Sequence, residues 1–291
     1  MSLTLVAPPA PAFTVVDAAQ RSPAWRIARL GRLTGSRAGA MMATTKSGDA
    51  SASRRDLRTQ LVLERLTGTP GDEGYVSPEM RRAVAVEPQA VAAYEARTGH
   101  LVHRTGFLAH DTLAVGCSLD GHVGAMAGIL EVKCPKSATH LTYLTAGTVP
   151  LDHLPQIVHN LWVSGAAWCD FLSFDDRFPP HLQTFLVRYH RNAEEIATYA
   201  TVAGVFLAEV DAEYARVNGL RQEARREMAP GERRPHVPPV SSVRARGAAP
   251  DPGQPRAGAP ADDREPRRGT GASCQWTGLA VGCTACTQGD D

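Results

Sequence analysis

The sequence predicts one α/β domain, with a mixed central β-sheet flanked by helices, followed by a disordered C-terminal tail. The 291 residues are 43% hydrophobic, which is enough to build a sizeable core. Helical periodicity before residue 100 changes to strand-like alternation, and further helices and strands follow up to residue 218. Beyond that point Pro, Gly and Arg replace large apolar side chains, so the segment cannot offset its ordering entropy. We therefore assign residues 1–11 to a disordered N-terminus, 12–218 to the domain and 219–291 to the tail.

Helices are predicted where capping residues border a stretch of helical periodicity. Ser22 caps a helix that has Pro23 in its first turn and ends before Gly31. Pro88 interrupts or restarts a longer helix that Gly99 ends. The predicted helices are residues 23–30, a second starting at residue 34 or 36, 54–67, 78–97, 137–146, 152–165 and 192–217.

Strands are predicted where side chains alternate with a period of two. The Gly-rich stretch at residues 120–128 is expected to be the hairpin connection between two of these strands. The predicted strands are residues 101–109, 113–118, 128–134, 168–174 and 183–189.

Composition argues against a membrane-spanning chain and against a disulfide scaffold. No window approaches about 18 consecutive apolar residues. The N-terminus also lacks the basic segment followed by an apolar segment that is typical of a secretory signal. The six Cys residues are few and irregularly spaced for a chain of this length. We expect a soluble, cytoplasmic protein in a reducing compartment.

Charge is unevenly distributed along the chain. Residues 1–82 carry 12 Lys/Arg and 7 Asp/Glu, whereas residues 83–218 carry 8 and 14. A basic first third and an acidic middle fit a protein that binds a polyanion on one surface and divalent cations on another. Unevenly charged solvated faces explain the same numbers equally well.

Lys is rare in this chain, since 28 of the 31 basic residues are Arg. Two of the three Lys residues, Lys133 and Lys136, lie in one short segment.

Asp120, Glu131 and Lys133 form the arrangement that is most informative about chemistry. Alternate residues of a strand share a face, so Glu131 and Lys133 project together while Leu130 and Val132 face the core. Asp120 follows the preceding strand, across a hairpin, and can reach the same face. Adjacent carboxylates repel each other, and a hard divalent cation, Mg²⁺ first among them, relieves that repulsion. The sequence therefore predicts a Mg²⁺ site at which Lys133 orients or deprotonates an attacking water.

A purely structural interpretation of the same residues stands beside the catalytic one. Asp120 could cap a turn, while Glu131 and Lys133 form an ordinary exposed ion pair. The pattern is short and common, so its spacing alone favours the structural interpretation.

The tryptophans Trp25, Trp162 and Trp168 have apolar neighbours, and we expect them in the core rather than stacked on bases.

Five blocks of sequence, in order, provide the wider context. The chain resembles the lambda exonuclease and YqaJ-like viral recombinase family, nucleases of the PD-(D/E)xK superfamily. This resemblance implies a restriction-endonuclease-like core, 5′ to 3′ digestion of linear double-stranded DNA that leaves 3′ overhangs, and two Mg²⁺ ions that Mn²⁺ can replace. It also implies a trimeric ring and a single-strand annealing protein as a partner. The blocks are RSPAWRIARLGRLTGSR (21–37), MRRAVAVEPQAVAAYEARTG (80–99), GCSLDG (116–121), ILEVKCP (129–135) and PQIVHNLWVSGAAWCDFLSFDDR (155–177).

The resemblance also implies roles for individual residues. Asp120 and Glu131 match the metal ligands, and Lys133 matches the residue that activates water. Glu87 matches an acidic residue that contacts a metal ion or its water, and Asp111 is similar to an accessory acidic position. Residues that match substrate-binding positions are Arg29 and Ser36, which would bind the terminal phosphate, and Gln156, which would line the site.

Two other hypotheses remain open at the level of sequence. The chain could be an endonuclease or a single-strand nuclease of the same superfamily, as in RecB-like or Cas4-like domains. Cys117, Cys134 and Cys169 lack the clustering of a Cas4-like iron–sulfur site. Alternatively, the chain could be a catalytically silent DNA-binding protein, although an intact Asp120, Glu131 and Lys133 set argues against loss of turnover.

Overall fold

The structure is a computed structural model that describes residues 13–71 and 76–228, with side chains described as far as residue 220. The chain divides into two compact units, with a boundary between Gly219 and Leu220, and the site lies in the first. The predicted disordered N-terminus and the tail beyond Met228 lie outside the described residues. Among the described residues, none of the helices combines the length and the hydropathy that a membrane span requires.

Beyond the first four elements, helices and strands come in runs along the described chain, and helix α7 continues past the boundary predicted at residue 218. Single turns of 3₁₀ helix occur at Gly35–Arg37, Leu151–His153 and Pro180–Leu182. The elements are β1 (Phe13–Val16), α1 (Pro23–Ala28), β2 (Leu33–Thr34), α2 (Ala38–Met42), α3 (Ala52–Thr67), α4 (Pro78–Thr98), β3 (Val102–His103), β4 (Phe107–His110), β5 (Val115–Ser118), β6 (Gly121–Val123), β7 (Gly128–Lys133), α5 (Ser137–Ala146), α6 (Leu154–Ser164), β8 (Trp168–Phe174), β9 (Thr184–His190) and α7 (Ala193–Met228).

Two mixed sheets, rather than the single predicted one, form the centre of the fold. A five-stranded sheet has the order β3-β6-β7-β8-β9, in which only the β7–β8 pair is parallel. A four-stranded sheet has the order β1-β4-β5-β2, in which only β2 and β5 run parallel. The predicted α/β class, with mixed sheets flanked by helices, is confirmed.

The strand predicted at residues 101–109 is divided between the two sheets. Its first part is β3, which pairs with β6, and its second part is β4, which pairs with β1 and β5. Gly106 lies between them, where a Cβ would be 2.0 Å from the backbone oxygen of Val16. Residues 121–123, predicted to be part of a hairpin connection, form strand β6. Three residues are too few to show strand-like alternation in the sequence.

Local signals place the ends of the helices correctly. Ser22 and Ser77 accept hydrogen bonds from the backbone N–H groups of Trp25 and Met80, as N-caps do. Helix α4 runs through Pro88 without interruption and ends at Gly99, whose φ of +71° is a left-handed conformation that favours glycine.

Strand β7 is covered on both faces, and this positions the site. Leu130 and Val132 pack in one apolar cluster with Val86, Ala90 and other residues of α4. On the other face, Ile129 packs in the main core with residues of α6. Glu131 shares the face of Ile129, so its carboxylate is buried near the C-terminal end of a strand that is covered on both faces.

Candidate active site

A cavity of about 860 Å³ opens beside the C-terminal end of β7. Its walls come from α1, α4 and α6, and from the turn that follows β5. The residues that line it include five of the predicted site residues: Glu87, Asp120, Glu131, Lys133 and Gln156.

Asp120 is attached to β7 by a backbone hydrogen bond. Its Oδ2 accepts from the N–H of Val132 at 2.8 Å, which places the carboxylate beside the residues on either side of Val132. No other hydrogen bond to Asp120 occurs within the described residues, so Oδ1 is available to a ligand. The turn between β5 and β6 therefore delivers the carboxylate to the face that carries Glu131 and Lys133.

Glu131 is almost fully buried, with 1% of its surface exposed, and side chains surround its carboxylate. Oε1 accepts hydrogen bonds from Lys133 Nζ at 2.5 Å and from Gln156 Nε2 at 2.6 Å. Oε2 accepts from Nδ2 of Asn160 at 3.2 Å. Gln156 and Asn160 lie one turn apart on α6, so this helix holds both oxygens in place. Three donors offset much of the cost of burying the charge.

The carboxyl group of Asp120 does not titrate in its ordinary range. Burial, followed by the negative charge of Glu131, raises the pKa of Asp120 to about 7. For Lys133, burial disfavours the charged amine, but Glu131 and Asp120 outweigh it and the pKa is raised. Without a further cation, Lys133 remains protonated while Asp120 carries only part of its charge at neutral pH. This is the repulsion that a divalent cation would relieve.

The donor set fits a hard divalent cation. Asp120 and Glu131 supply oxygen ligands, and Mg²⁺ commonly takes one or two carboxylates, with water and substrate phosphate completing its coordination. Within the described residues no group of three His, Cys, Asp or Glu side chains converges closely enough to form a metal site by itself. Substrate and water would therefore have to supply the remaining ligands.

Glu87 borders the same cavity but has a partner that the sequence did not indicate. Its Oε1 accepts from Arg104 at 2.8 Å, and Arg104 lies in the segment between β3 and β4. Glu87 is still close enough for its charge to contribute to the raised pKa of Asp120. The predicted third acidic residue thus faces the cavity while it is held in an ion pair.

A second cavity, of about 170 Å³, adjoins the first. Arg29 donates to Ser118 Oγ at 3.2 Å and to Ser36 Oγ at 3.3 Å. Its guanidinium also lies over the ring of Trp25, 4.2 Å from the centroid. The predicted phosphate-binding residues Arg29 and Ser36 are therefore brought together. Asp120 and Gln156 line both cavities.

Sequence reasoning missed three residues of this region and misassigned the surroundings of a fourth. Ser118 precedes Asp120 by two residues, and this spacing could have suggested a shared face. Asn160 and Arg21 gave no local signal. Trp25, expected in the core, is only partly buried and lines both cavities.

Asp111 lies away from the site. Its Oδ1 accepts from Thr14 at 2.8 Å on an exposed edge of the four-stranded sheet, and it lines neither of the two cavities. Asp111, which is similar to an accessory acidic position by sequence, is therefore not part of the carboxylate site in this structure.

Comparison with known proteins identifies the family. The YqaJ-like viral recombinase domain matches residues 24–167. The alkaline exonuclease LHK-Exo from Laribacter hongkongensis is 35% identical, with a TM-score of 0.63 over 72% of this chain and 100% of its own. The complex of LHK-Exo with dAMP matches equally well. A phage related exonuclease from Haemophilus somnus, 13% identical over 64% of this chain and 96% of its own, shares the fold with a TM-score of 0.50. The comparison with curated proteins gives no match.

These findings confirm the resemblance drawn from the five sequence blocks. The match to LHK-Exo spans that whole chain at 35% identity, and the family domain covers the segment from α1 to just before β8. Nucleases of the PD-(D/E)xK type generally use divalent metal ions. This chain therefore belongs to the family of YqaJ-like viral recombinases and alkaline exonucleases, and it is a nuclease that acts on DNA.

Proposed function

We propose that this nuclease is a Mg²⁺-dependent exonuclease that degrades one strand of linear double-stranded DNA from its 5′ end and leaves a 3′ overhang. One observation carries the proposal. The small cavity that contains Arg29 and Ser36 adjoins the carboxylate site and shares Asp120 and Gln156 with it. A terminal phosphate in the small cavity would put the next phosphodiester beside the carboxylates.

The residues of the small cavity are suited to a terminal phosphate. Arg29 presents a planar, permanently charged donor, and Ser36 and Ser118 add hydroxyl groups within hydrogen-bond distance of it. Stacking on Trp25 fixes the orientation of Arg29 before substrate arrives. A 5′ phosphate carries more negative charge than an internal phosphodiester, so this cavity would favour ends over continuous strands.

The residues of the large cavity divide the hydrolytic step between them. Asp120 and Glu131 would hold Mg²⁺, and Glu87 would contact a second ion or its water once it leaves Arg104. When bound, the ions polarise the phosphoryl oxygen and make water more acidic. Mn²⁺ is expected to substitute for Mg²⁺. Lys133, held by Glu131 and by Gln156 Oε1 at 3.3 Å, would orient the attacking water in line with the leaving 3′ oxygen.

End-labelled digestion tests this function. Linear duplexes with a 5′ phosphate or a 5′ hydroxyl, and a covalently closed circle, are incubated with Mg²⁺, Mn²⁺, Ca²⁺ or chelator. We expect loss of the 5′-phosphorylated strand first, in Mg²⁺ and Mn²⁺ only, and survival of the circle. Arg29→Ala should abolish the preference for the 5′ phosphate. Cleavage of the circle would instead support the endonuclease alternative, and DNA binding without cleavage under any cation would support a silent binding protein.

Assembly and partners are proposed on the resemblance of the sequence blocks. We propose a ring-shaped homotrimer around the duplex and a single-strand annealing protein that receives the 3′ overhang. Light scattering coupled to size exclusion tests the first, with a mass three times the 31.1 kDa of the chain as the expected result. A monomeric mass at micromolar concentration would contradict it.

A further inference from the structure

Arg21 has a backbone conformation that an arginine rarely adopts. It lies in the turn between Ala19 and Ser22, where the N–H of Ser22 donates to the carbonyl of Ala19 at 3.0 Å. The φ of Arg21 is +68°, in the left-handed region where glycine is unstrained and a side chain with a Cβ is not. Arg21 and Met126 are the non-glycine residues with positive φ in the described chain. Strain of this kind persists where surrounding contacts impose it, and it is concentrated at functional sites.

The contacts that impose this conformation come from both sides of the turn. Gln20 donates through Nε2 to the backbone oxygen of Leu119 at 3.0 Å, and Leu119 directly precedes Asp120. On the other side, Ser22 is the N-cap of α1 and accepts from Trp25 N–H at 3.2 Å. The turn is thereby tied to the carboxylate site and to helix α1, whose C-cap is Arg29, and Arg21 lies between the two attachments.

Arg21 borders both cavities, and its side chain is uncommitted. Four residues line the two cavities in common, namely Arg21, Trp25, Asp120 and Gln156, and Arg21 is the basic one among them. It is exposed, and within the described part of the chain its guanidinium has no hydrogen bond or ion pair. Arg29, by contrast, is bonded to the hydroxyl groups of its own cavity.

We propose that Arg21 is a substrate-binding residue that contacts the phosphate backbone of the cleaved strand where it passes from the small cavity to the large one. This inference rests on the proposed function. The backbone must cross a boundary that carries the negative charge of Asp120, so a phosphate there needs a nearby positive charge. Arg21 supplies that charge, and the left-handed turn keeps it at the boundary. The guanidinium of Arg21 has no partner within the described part of the protein because, in this proposal, its partner is the DNA backbone.

Binding measured against salt, together with thermal stability, tests the proposal. The probe is a 5′-phosphorylated duplex with a fluorophore at the far end, titrated in Ca²⁺. Arg21→Ala and Arg21→Gly should weaken binding and make the negative slope of log K against log salt shallower by about 0.9, whereas Arg21→Lys should keep the slope of the wild type. Arg97→Ala is the matched control, because Arg97 is exposed on α4 and lines neither cavity.

Arg21→Gly separates a role in binding from a role in folding. Glycine relieves the positive φ, so its melting temperature should rise by about 2 °C while its affinity for DNA falls. Three results would overturn the inference. They are a salt slope in Arg21→Ala and Arg21→Gly equal to that of the wild type, a shallower salt slope in Arg21→Lys, and a lower melting temperature in Arg21→Gly. Failure of the wild-type chain to bind the duplex would instead contradict the proposed function.

Discussion

Gly35 and Asn160 are in contact so close that a Cβ on Gly35 would lie 2.3 Å from Oδ1 of Asn160. Gly35 lines the small cavity, and Asn160 donates to Glu131 in the large one. The Oδ1 atom of Asn160 is buried and has no hydrogen-bond partner within the described residues. A single buried amide therefore connects the floor of the proposed phosphate site to the proposed metal ligand, and the absence of a side chain at residue 35 makes room for it.

Gly35→Ala should damage both cavities. The added methyl group must displace Asn160, which removes a donor from Glu131 and disturbs Ser36. We expect a loss of about 1 to 3 kcal/mol in the free energy of unfolding and a fall of up to about 10²-fold in turnover, because catalysis depends on sub-ångström placement. Urea unfolding and initial digestion rates measure the two effects. Gly39→Ala is the control: nothing in the described structure lies within 4 Å of a Cβ added at residue 39, so stability should be kept or increased. Equal behaviour of the two variants would contradict the contact.

Lys133→Met should sharply reduce turnover while leaving the fold and cation binding largely intact. Methionine keeps the length of the side chain but has no amine to orient water, so we expect the rate to fall by about 10² to 10⁴-fold. Digestion of linear duplex measures the rate, and calorimetric titration with Mg²⁺ measures binding. Lys136→Met is the matched control, since Lys136 is exposed and paired with Glu79 outside the carboxylate cluster. A Lys133→Met enzyme as fast as wild type would rule out the assigned role.

Arg104→Ala should allow the enzyme to reach half-maximal activity at a lower Mg²⁺ concentration. The ion pair with Arg104 competes with any cation for Glu87, and an ion pair whose Arg is half-exposed is worth about 0.2 to 1 kcal/mol. Its removal should lower the Mg²⁺ concentration for half-maximal activity by up to about 5-fold. Activity titrated with Mg²⁺ checks this, with Glu87→Gln expected to be insensitive to the Arg104 change. An unaltered Mg²⁺ dependence in Arg104→Ala would mean that Glu87 does not contact a metal ion.

His159 should make stability dependent on pH in the acid range. It is fully buried, donating through Nε2 to the Gly116 carbonyl at 3.0 Å and accepting through Nδ1 from the Tyr199 hydroxyl at 2.8 Å. Burial lowers its pKa from 6.5 to about 4, so the unfolded chain binds this proton before the folded chain does. The contribution of His159 to stability is therefore complete above pH 6.5 and declines by up to about 1.4 kcal/mol per pH unit down to about pH 4.

Comparison with His159→Gln isolates this effect. His153, whose pKa burial and Lys133 also lower to about 4, titrates in the same range, and Asp120 titrates with the opposite sign. Subtracting the unfolding free energy of His159→Gln from that of the wild type at each pH removes both contributions. The difference should shrink between pH 6.5 and pH 4. A difference that stays constant across this range would show that His159 is not buried in its neutral form.

Local pattern accounts for the parts of the fold and site that could be predicted. The caps at Ser22 and Ser77 and the stop at Gly99 involve neighbours within a few residues, so the sequence contains all the participants. The convergence of Glu131 and Lys133 follows from alternation along one strand. Asp120 joins them because a short hairpin leaves few alternative positions.

Contacts between distant segments are visible only in the folded molecule. Arg104 pairs with Glu87, and Asn160 fits between Gly35 and Glu131, because separate elements pack together, and no local pattern encodes those pairings. The division of residues 101–109 between two sheets likewise depends on the approach of β1 at Gly106. The amino-acid sequence specifies which residues have the chemistry to bind metal and phosphate. Packing over long sequence separations specifies which of them meet, since side-chain contacts depend on the whole fold rather than on spacing along the chain.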